Sequence, residues 1–242
     1  MKEKKMRLDK YLASFAELSR KEAKRAVHSG QVMVEGETVY KEDVKVDICQ
    51  EILLAGKTIR AEKNVYYMLY KPAGVLSAVT DKRERTVRDL IQDTSRDIFP
   101  VGRLDKDAEG LLLMTDDGEL AHRLLSPSYH VEKVYYVEYE GSLLPEAERL
   151  FSEGMDIGEK KKTKPAGLEI KEEGKAFLTI SEGKYHQVKR MIAKVGGRVT
   201  YLKRISMAGV TLDERLMTGE YRRLTAEEVE RLKKAVRREK GR

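Results

Sequence analysis

Apolar positions change their period several times along this chain, and the changes mark its elements. Ala23, Ala26 and Val27 recur at helical spacing behind Ser19-Arg-Lys-Glu22. Ser19 can bond forward and Glu22 can reach back, so a capped helix is predicted there. Lys21, Lys24, Arg25 and His28 fall on its opposite face, and Gly30 ends it. Alternation then predicts short strands at 31–34 and 38–40 around a Glu-Gly-Glu turn. Residues 57–64 are polar and read as a linker. Beyond them, apolar runs predict strands at 65–70 and 111–114, with Lys71-Pro-Ala-Gly74 as a turn. Asp116-x-x-Glu119 reads as a second capping box, opening a helix that buries Leu120, Leu124 and Leu125. Residues 132–139 alternate as a strand and 145–153 form a short helix. Strands at 168–170 and 176–180 pair around Glu172-Glu-Gly174. A helix at 185–195 precedes strands from 198 onward, and a last helix spans 226–238. The order is not a strict strand–helix repeat, and hairpin turns are frequent. The expected fold class is α+β with a mainly antiparallel mixed sheet. Two domains are expected, 1–62 and 63–242.

Charge narrows the picture. The chain has 242 residues with 48 Lys/Arg against 41 Asp/Glu, a net charge of +7. Its pI is about 9.2. Nine Lys/Arg and four acids fall within the first 30 residues, so most of the excess sits beside the first helix. A basic helix followed by a small sheet can grip RNA phosphates; a solvated helix face is the other reading. The single cysteine, Cys49, lies in Val-Asp-Ile-Cys-Gln-Glu (46–51), which reads as strand. One cysteine makes no disulfide framework and no thiolate zinc site. No metal and no cofactor is called for. The charged N-terminus lacks an apolar leader and no stretch reaches membrane-span length, so a cytoplasmic protein with no membrane contact is expected.

Three places could carry chemistry. In Val101-Gly-Arg-Leu-Asp-Lys-Asp-Ala-Glu-Gly110, a turn crowded with Arg103, Asp105, Lys106, Asp107 and Glu109 precedes a buried strand. Charges so near a core need partners, and such clusters typify active sites. Position alone does not separate Asp105 from the other acids. Lys133 and Tyr135 are two apart on a strand and share a face; the tyrosine can stack on a base or simply fill the core. Glu182-Gly-Lys-Tyr-His-Gln-Val-Lys-Arg-Met191 opens a helix whose apolar stripe is Val188, Met191, Ile192 and Val195. At about 100° per residue, Lys189 lies roughly 110° from the stripe centre and Gln187 about 90° on the other flank. Both can reach along the core edge into a pocket. Arg190, roughly 150° away, should face outward to an RNA backbone. His186 could be a base, a phosphate contact or a structural group.

The N-terminal module resembles the S-four (S4) domain, a small alpha-L RNA-binding fold. Arg7-Leu-Asp-Lys-Tyr-Leu12, Ser19-Arg-Lys-Glu-Ala23 and Gly30-Gln-Val-Met-Val-Glu-Gly36 carry the match. The resemblance implies that Arg7, Lys10, Ser19, Arg20 and Lys21 lie on or near the RNA-facing side, and Lys24 joins them by its helix face. The remainder resembles the RsuA-type family of pseudouridine synthases. Lys71-Pro-x-Gly74, Gly102-Arg-Leu-Asp105 with Gly110-Leu-Leu-Leu-Met-Thr-Asp-Asp-Gly118, Lys133-x-Tyr135 and the Glu182–Met191 segment carry that match. This resemblance implies that Asp105 is the nucleophile or base, that Tyr135 stacks on the target base and that Lys189 pairs with Asp105. Arg103, Lys133, His186, Gln187 and Arg190 are the expected RNA contacts of this part.

The implied activity is isomerisation of uridine to pseudouridine in ribosomal RNA. The Tyr-His-Gln-Val-Lys-Arg string resembles the member acting on position 516 of 16S rRNA. The expected partner is 16S rRNA or a small-subunit assembly intermediate, met by a monomer. The rival readings are a same-family synthase acting on 23S rRNA and a non-catalytic RNA-binding assembly factor.

Overall fold

The computed structural model describes residues 5–16, 18–47, 50–59, 64–94 and 96–237. The chain divides into two compact units, Met1–Asn64 and Val65–Arg242.

In the first unit, β1 (Met6–Arg7) runs into α1 (Leu8–Phe15), and α2 (Arg20–His28) follows. Then come β2 (Val32–Val34), β3 (Glu37–Thr38), β4 (Lys45–Val46), β5 (Ile52–Leu54) and β6 (Lys57–Ile59). A four-stranded sheet runs β3-β2-β5-β6, and β1 pairs with β4. Both halves of the capping box form: Ser19 Oγ accepts from Glu22 N at 3.3 Å, and the Glu22 carboxylate accepts from Ser19 N at 2.8 Å. The helix α2 buries Ala23, Ala26 and Val27 against Leu8, Tyr11 and Leu12 of α1 and Val32 and Ile52 of the sheet. Burying that stripe turns Lys21, Lys24, Arg25 and His28 outward. The expected linker is partly structured. Ala55 and Gly56 both take positive φ and turn the chain back, so Lys57–Ile59 pairs with β5 as a strand. Positions 60–63 of that linker lie outside the described residues, as does Cys49.

The second unit contains β7 (Tyr66–Lys71), β8 (Phe99–Pro100), β9 (Glu109–Thr115), α3 (Gly118–Leu125), β10 (Lys133–Glu140) and α4 (Ala147–Glu153). It continues with β11 (Gly167–Glu172), β12 (Lys175–Ile180), α5 (Gln187–Lys194), β13 (Arg198–Met207), β14 (Val210–Thr211), β15 (Tyr221–Arg223) and α6 (Ala226–Ala235). One sheet runs β11-β12-β10-β13-β9-β7-β15, with β8 on β9 and β14 on β13. Its pairs are antiparallel except β13 with β9. This is the α+β class with a mainly antiparallel mixed sheet that the irregular element order predicts.

The sheet is buried on both faces near its middle. Leu112 and Met114 of β9 join a core with α4 and α5, while Leu111 and Leu113 join one with α3 and α6. That explains the unbroken apolar run of β9, since alternation disappears when neither face meets water.

Some boundaries differ from expectation. Asp117, not Asp116, caps α3, its carboxylate accepting from Leu120 N at 3.0 Å. Asp116 instead accepts from Val65 N at 2.8 Å and pairs with Arg96 at 2.8 Å. Leu125 ends α3 at 44% exposure rather than in the core. The helix expected from 185, α5, starts at Gln187, because His186 takes a left-handed φ of 48°. Among the described residues no helix is long and apolar enough to cross a membrane.

Candidate active site

The turn carrying Asp105 is held from below by its neighbours. Lys71, at the end of β7, is fully buried. Its amine donates to the carbonyls of Pro72 at 2.9 Å, Lys106 at 3.3 Å and Ala108 at 2.8 Å. Gly74 N adds a bond to the Lys106 carbonyl at 2.7 Å. Ser77 Oγ both donates to Leu104 O at 2.8 Å and accepts from Leu104 N at 3.0 Å. The turn is therefore fixed on both sides of Asp105. Burial pushes the Lys71 amine down to about 8, against the pull of the nearby acids Asp107, Glu109 and Asp105.

Above this floor the Asp105 side chain is about a quarter exposed and faces an imidazole and an amine. His186 Nε2 lies 3.6 Å from one carboxylate oxygen and Lys189 Nζ 3.7 Å from the other. His186 has a left-handed backbone just before α5, and its ring nitrogen faces the aspartate. Lys189 comes off α5 at the core edge, where its helical spacing predicts it. Its closest partner differs from expectation, however. The amine donates to both oxygens of Asp107 at 2.7 Å, and these bonds hold the Asp107 carboxyl below the ordinary carboxylate range. Lys189 thus bridges two carboxylates: Asp107, 74% exposed, and Asp105, 26% exposed.

Sheet register brings Tyr135 toward the same region. Tyr135 of β10 pairs with Arg204 of β13, and Arg204 pairs with Gly110 of β9, five residues past Asp105. Lys133, Tyr135 and Arg204 are all buried. Gly110 must be glycine here: at φ 104° a side chain would be strained, and its Cβ would collide with the Arg204 backbone. Arg204 Nε donates to Leu111 O at 2.7 Å, while its Nη2 is buried with no hydrogen-bond partner among the described residues.

Taken together, the chain offers one fixed, partly shielded carboxylate flanked by a lysine and a histidine. Relatives agree on what such a chain is. The family model described as RNA pseudouridylate synthase matches residues 65–194, and that of the S4 domain matches residues 6–52.

The chain belongs to the RNA pseudouridylate synthase family.

An uncharacterized RNA pseudouridine synthase of Bacillus subtilis is 48% identical over 93% of this chain and 97% of its own length. Ribosomal small subunit pseudouridine synthase A of Escherichia coli is 40% identical over 93% of this chain and 98% of its own. A solved pseudouridylate synthase, 39% identical, superposes with a TM-score of 0.67 over 94% of this chain and 99% of that one.

Three expected contacts of the synthase unit are placed otherwise than the sequence suggests. Lys133, expected at the RNA, is 7% exposed and donates to Val131 O at 3.2 Å. Period-two alternation puts it on the inner face with Tyr135; burial first, then the like charge of Arg204, push it down to about 8. Gln187 is 3% exposed and closes the turn before α5, accepting from Lys184 N at 2.8 Å and donating to Glu182 at 3.0 Å. Arg190 points off the apolar stripe as expected, but the loop at 156–159 covers that side. Its guanidinium pairs with Glu159 at 2.7 Å and donates to the carbonyls of Tyr185 and Ile157. Arg103, by contrast, is exposed beside Asp105 in the chain.

In the first unit, Arg7, Lys10, Arg20, Lys21 and Lys24 line one groove of about 570 Å³ with Asp9. Arg7 is braced by Asp9 through two bonds of 3.0 Å, and Lys24 faces Glu42 at 3.6 Å. Lys10, Arg20 and Lys21 are exposed. Ser19 sits beside the groove with its hydroxyl oxygen engaged as the helix cap. Sequence reasoning missed Lys71 as an anchor, and Ser77 and Arg204 altogether. For Arg204 a signal existed: it lies two residues from Leu202 on an alternating strand, which puts it on the inner face.

Proposed function

We propose that this synthase isomerises a uridine of small-subunit ribosomal RNA, with position 516 of 16S rRNA as its target and Asp105 as its catalytic carboxylate. The carrying observation is the position of Asp105: a backbone fixed by Lys71, Gly74 and Ser77, and a carboxylate faced by Lys189 and His186. Asp107, its rival in the turn, is largely exposed and already spent on Lys189. The 40% identity to a ribosomal small subunit synthase along nearly the whole chain supports the choice of RNA.

The chemistry suits these groups. Isomerisation breaks the N-glycosidic bond of uridine, turns the uracil and rejoins it through carbon, leaving the composition unchanged. The enzyme must supply an ionised carboxylate, as nucleophile or base, in a site shielded from water. Lys189 and His186 face the carboxylate, and the lysine can offset charge as the bond to the base breaks. The uridine must leave its stack to arrive there, and Tyr135 receives the extruded base. The groove of the first unit, with Arg7, Lys10, Ser19, Arg20, Lys21 and Lys24, holds the flanking RNA by its phosphates. Arg103 serves the same end beside the turn. One chain supplies every group named, and we take a monomer as the working form, acting in the cytoplasm where ribosomal RNA is modified.

Asp105→Asn tests the reading. Unmodified 16S rRNA treated with the wild-type protein should acquire one pseudouridine, and the variant should lose more than about 10³-fold in rate. Pseudouridine formed undiminished by the variant would remove Asp105 from the chemistry. Modification confined to 23S rRNA would overturn the target.

A further inference from the structure

Tyr185 is 72% exposed, the most exposed large hydrophobic side chain among the described residues. Its ring lies flat on that of His186, with centroids 3.8 Å apart and planes at 19°. His186 in turn faces Asp105 at 3.6 Å. An aromatic step therefore begins at the carboxylate and ends in the bare outer face of Tyr185. An exposed tyrosine alone could be mere surface; its surroundings argue otherwise. The backbone at Tyr185 is fixed, its carbonyl accepting from Arg190 Nη1 at 3.1 Å. Lys184, the residue before it, donates to the carbonyls of Lys161 at 2.5 Å and Lys162 at 2.9 Å. The run Lys160-Lys-Lys162 is thereby tied to the same rim with its amines in solvent.

The acids nearby are already committed. Glu159 pairs with Arg190 at 2.7 Å, and Glu182 accepts from Lys164 N at 2.8 Å and Gln187 at 3.0 Å. Among the described residues none of Lys160, Lys161 and Lys162 has a carboxylate partner, so their amines are open to a polyanion. Unpaired lysines beside an open aromatic face are the two elements of single-strand recognition: one holds backbone, the other a base.

We propose that Tyr185, backed by His186, is the stacking platform for the nucleotide adjoining the target uridine, with Lys160, Lys161 and Lys162 holding the phosphates beside it. The inference rests on the reading that Asp105 works on a uridine in RNA. Extruding that uridine strips its neighbour of a stacking partner. Tyr185 replaces the lost face one imidazole ring out from the carboxylate, and stabilises the open strand without touching the reacting atoms. It is a positioning residue.

The test measures pseudouridine formation on a small-subunit rRNA transcript, alongside binding of a single-stranded RNA carrying one 2-aminopurine. Tyr185→Ala should raise KM about tenfold while kcat stays within about twofold, and Tyr185→Trp should restore KM. The Lys160→Ala, Lys161→Ala, Lys162→Ala triple variant should flatten the dependence of log KM on log salt by about one to two. The wild type should quench the 2-aminopurine and Tyr185→Ala should not. An unchanged KM in Tyr185→Ala overturns the proposal. If the wild type forms no pseudouridine in the transcript, the functional reading falls instead, and quenching alone decides. Loss of quenching in Tyr185→Ala then sustains the platform, and equal emission with both proteins overturns it.

Discussion

Lys71 and Lys189 grip the same turn under different conditions. Lys71 is fully buried and spends its amine on three carbonyls. Lys189 keeps a quarter of its side chain in solvent and spends its amine on carboxylates. A buried cation bonded to neutral acceptors cannot respond to charge in the pocket without leaving those acceptors unmet. A partly exposed one bound between two acids can shift between them at little cost. The first therefore fixes the shape of the turn, and the second balances its charge. The contrast shows why one site needs two lysines where a count of charges suggests redundancy.

Of the two lysines, removing the charge-balancing one should have the larger effect on rate. Lys189→Ala should lower kcat on the order of 10²-fold, comparable to losing one electrostatic contact to a developing charge. Its melting temperature should barely move, since exposed ion pairs contribute under about 1 kcal/mol. A stability loss matching the loss of rate would make Lys189 a structural group and erase the distinction from Lys71.

Removing the shape-holding lysine should reverse that balance. Lys71→Met keeps most of the volume but takes a donor from three carbonyls, of which Lys106 O keeps the bond from Gly74 N. It should cost about 2 kcal/mol of stability, after the relief of burying a charge is subtracted. The wild type should also show a distinctive pH profile. Burial lowers Lys71 and Lys133 to about 8, while in the unfolded chain they return to about 10.5. Between those values the unfolded chain binds more protons, so stability rises with pH from about 8; below 8 the penalty is present in full. Above about pH 10 the trend reverses. Burial and Asp93 push the Tyr67 hydroxyl up to about 12, so the unfolded chain loses that proton first. In Lys71→Met the rise should be roughly halved, with only Lys133 left. Urea denaturation at pH 7.5, 8.5 and 9.5 measures it, and an undiminished rise would show that Lys71 is not the titrating group.

The same contrast explains what could be read from the sequence. Lys189 was legible because helical periodicity fixes its direction relative to Val188, Met191, Ile192 and Val195, all of which are buried. The strand β9 was legible from Leu111–Met114, an apolar run too dense for a surface. The fold class followed from element order. Lys71 was not legible, because Lys-Pro-Ala-Gly reads as a turn whatever its lysine does. Its partners at Lys106 and Ala108 lie 35 and 37 positions away and are backbone atoms without a sequence signature. Ser77 was hidden for the same reason, since Leu104 presents only its main chain. Arg190 misled because periodicity describes one helix and is silent on the loop that covers it.

The smallest expected effect separates the two acids that share Lys189. In Asp107→Asn the lysine loses the negative charge and at least one of its two bonds of 2.7 Å, and keeps one carboxylate within reach, Asp105, now 3.7 Å away. A lysine side chain closes that gap by rotating about its terminal bonds. The variant should therefore retain kcat/KM within about threefold, the scale of an exposed ion pair, and a structure of it should find Lys189 moved onto Asp105. Asp107 is then a parking place for the lysine in the absence of RNA, and the charge balance around Asp105 tightens when it is vacated. A loss in Asp107→Asn as deep as that of Lys189→Ala would mean that the exposed acid, not the shielded one, is the lysine's working partner, and the assignment within the turn would have to be exchanged.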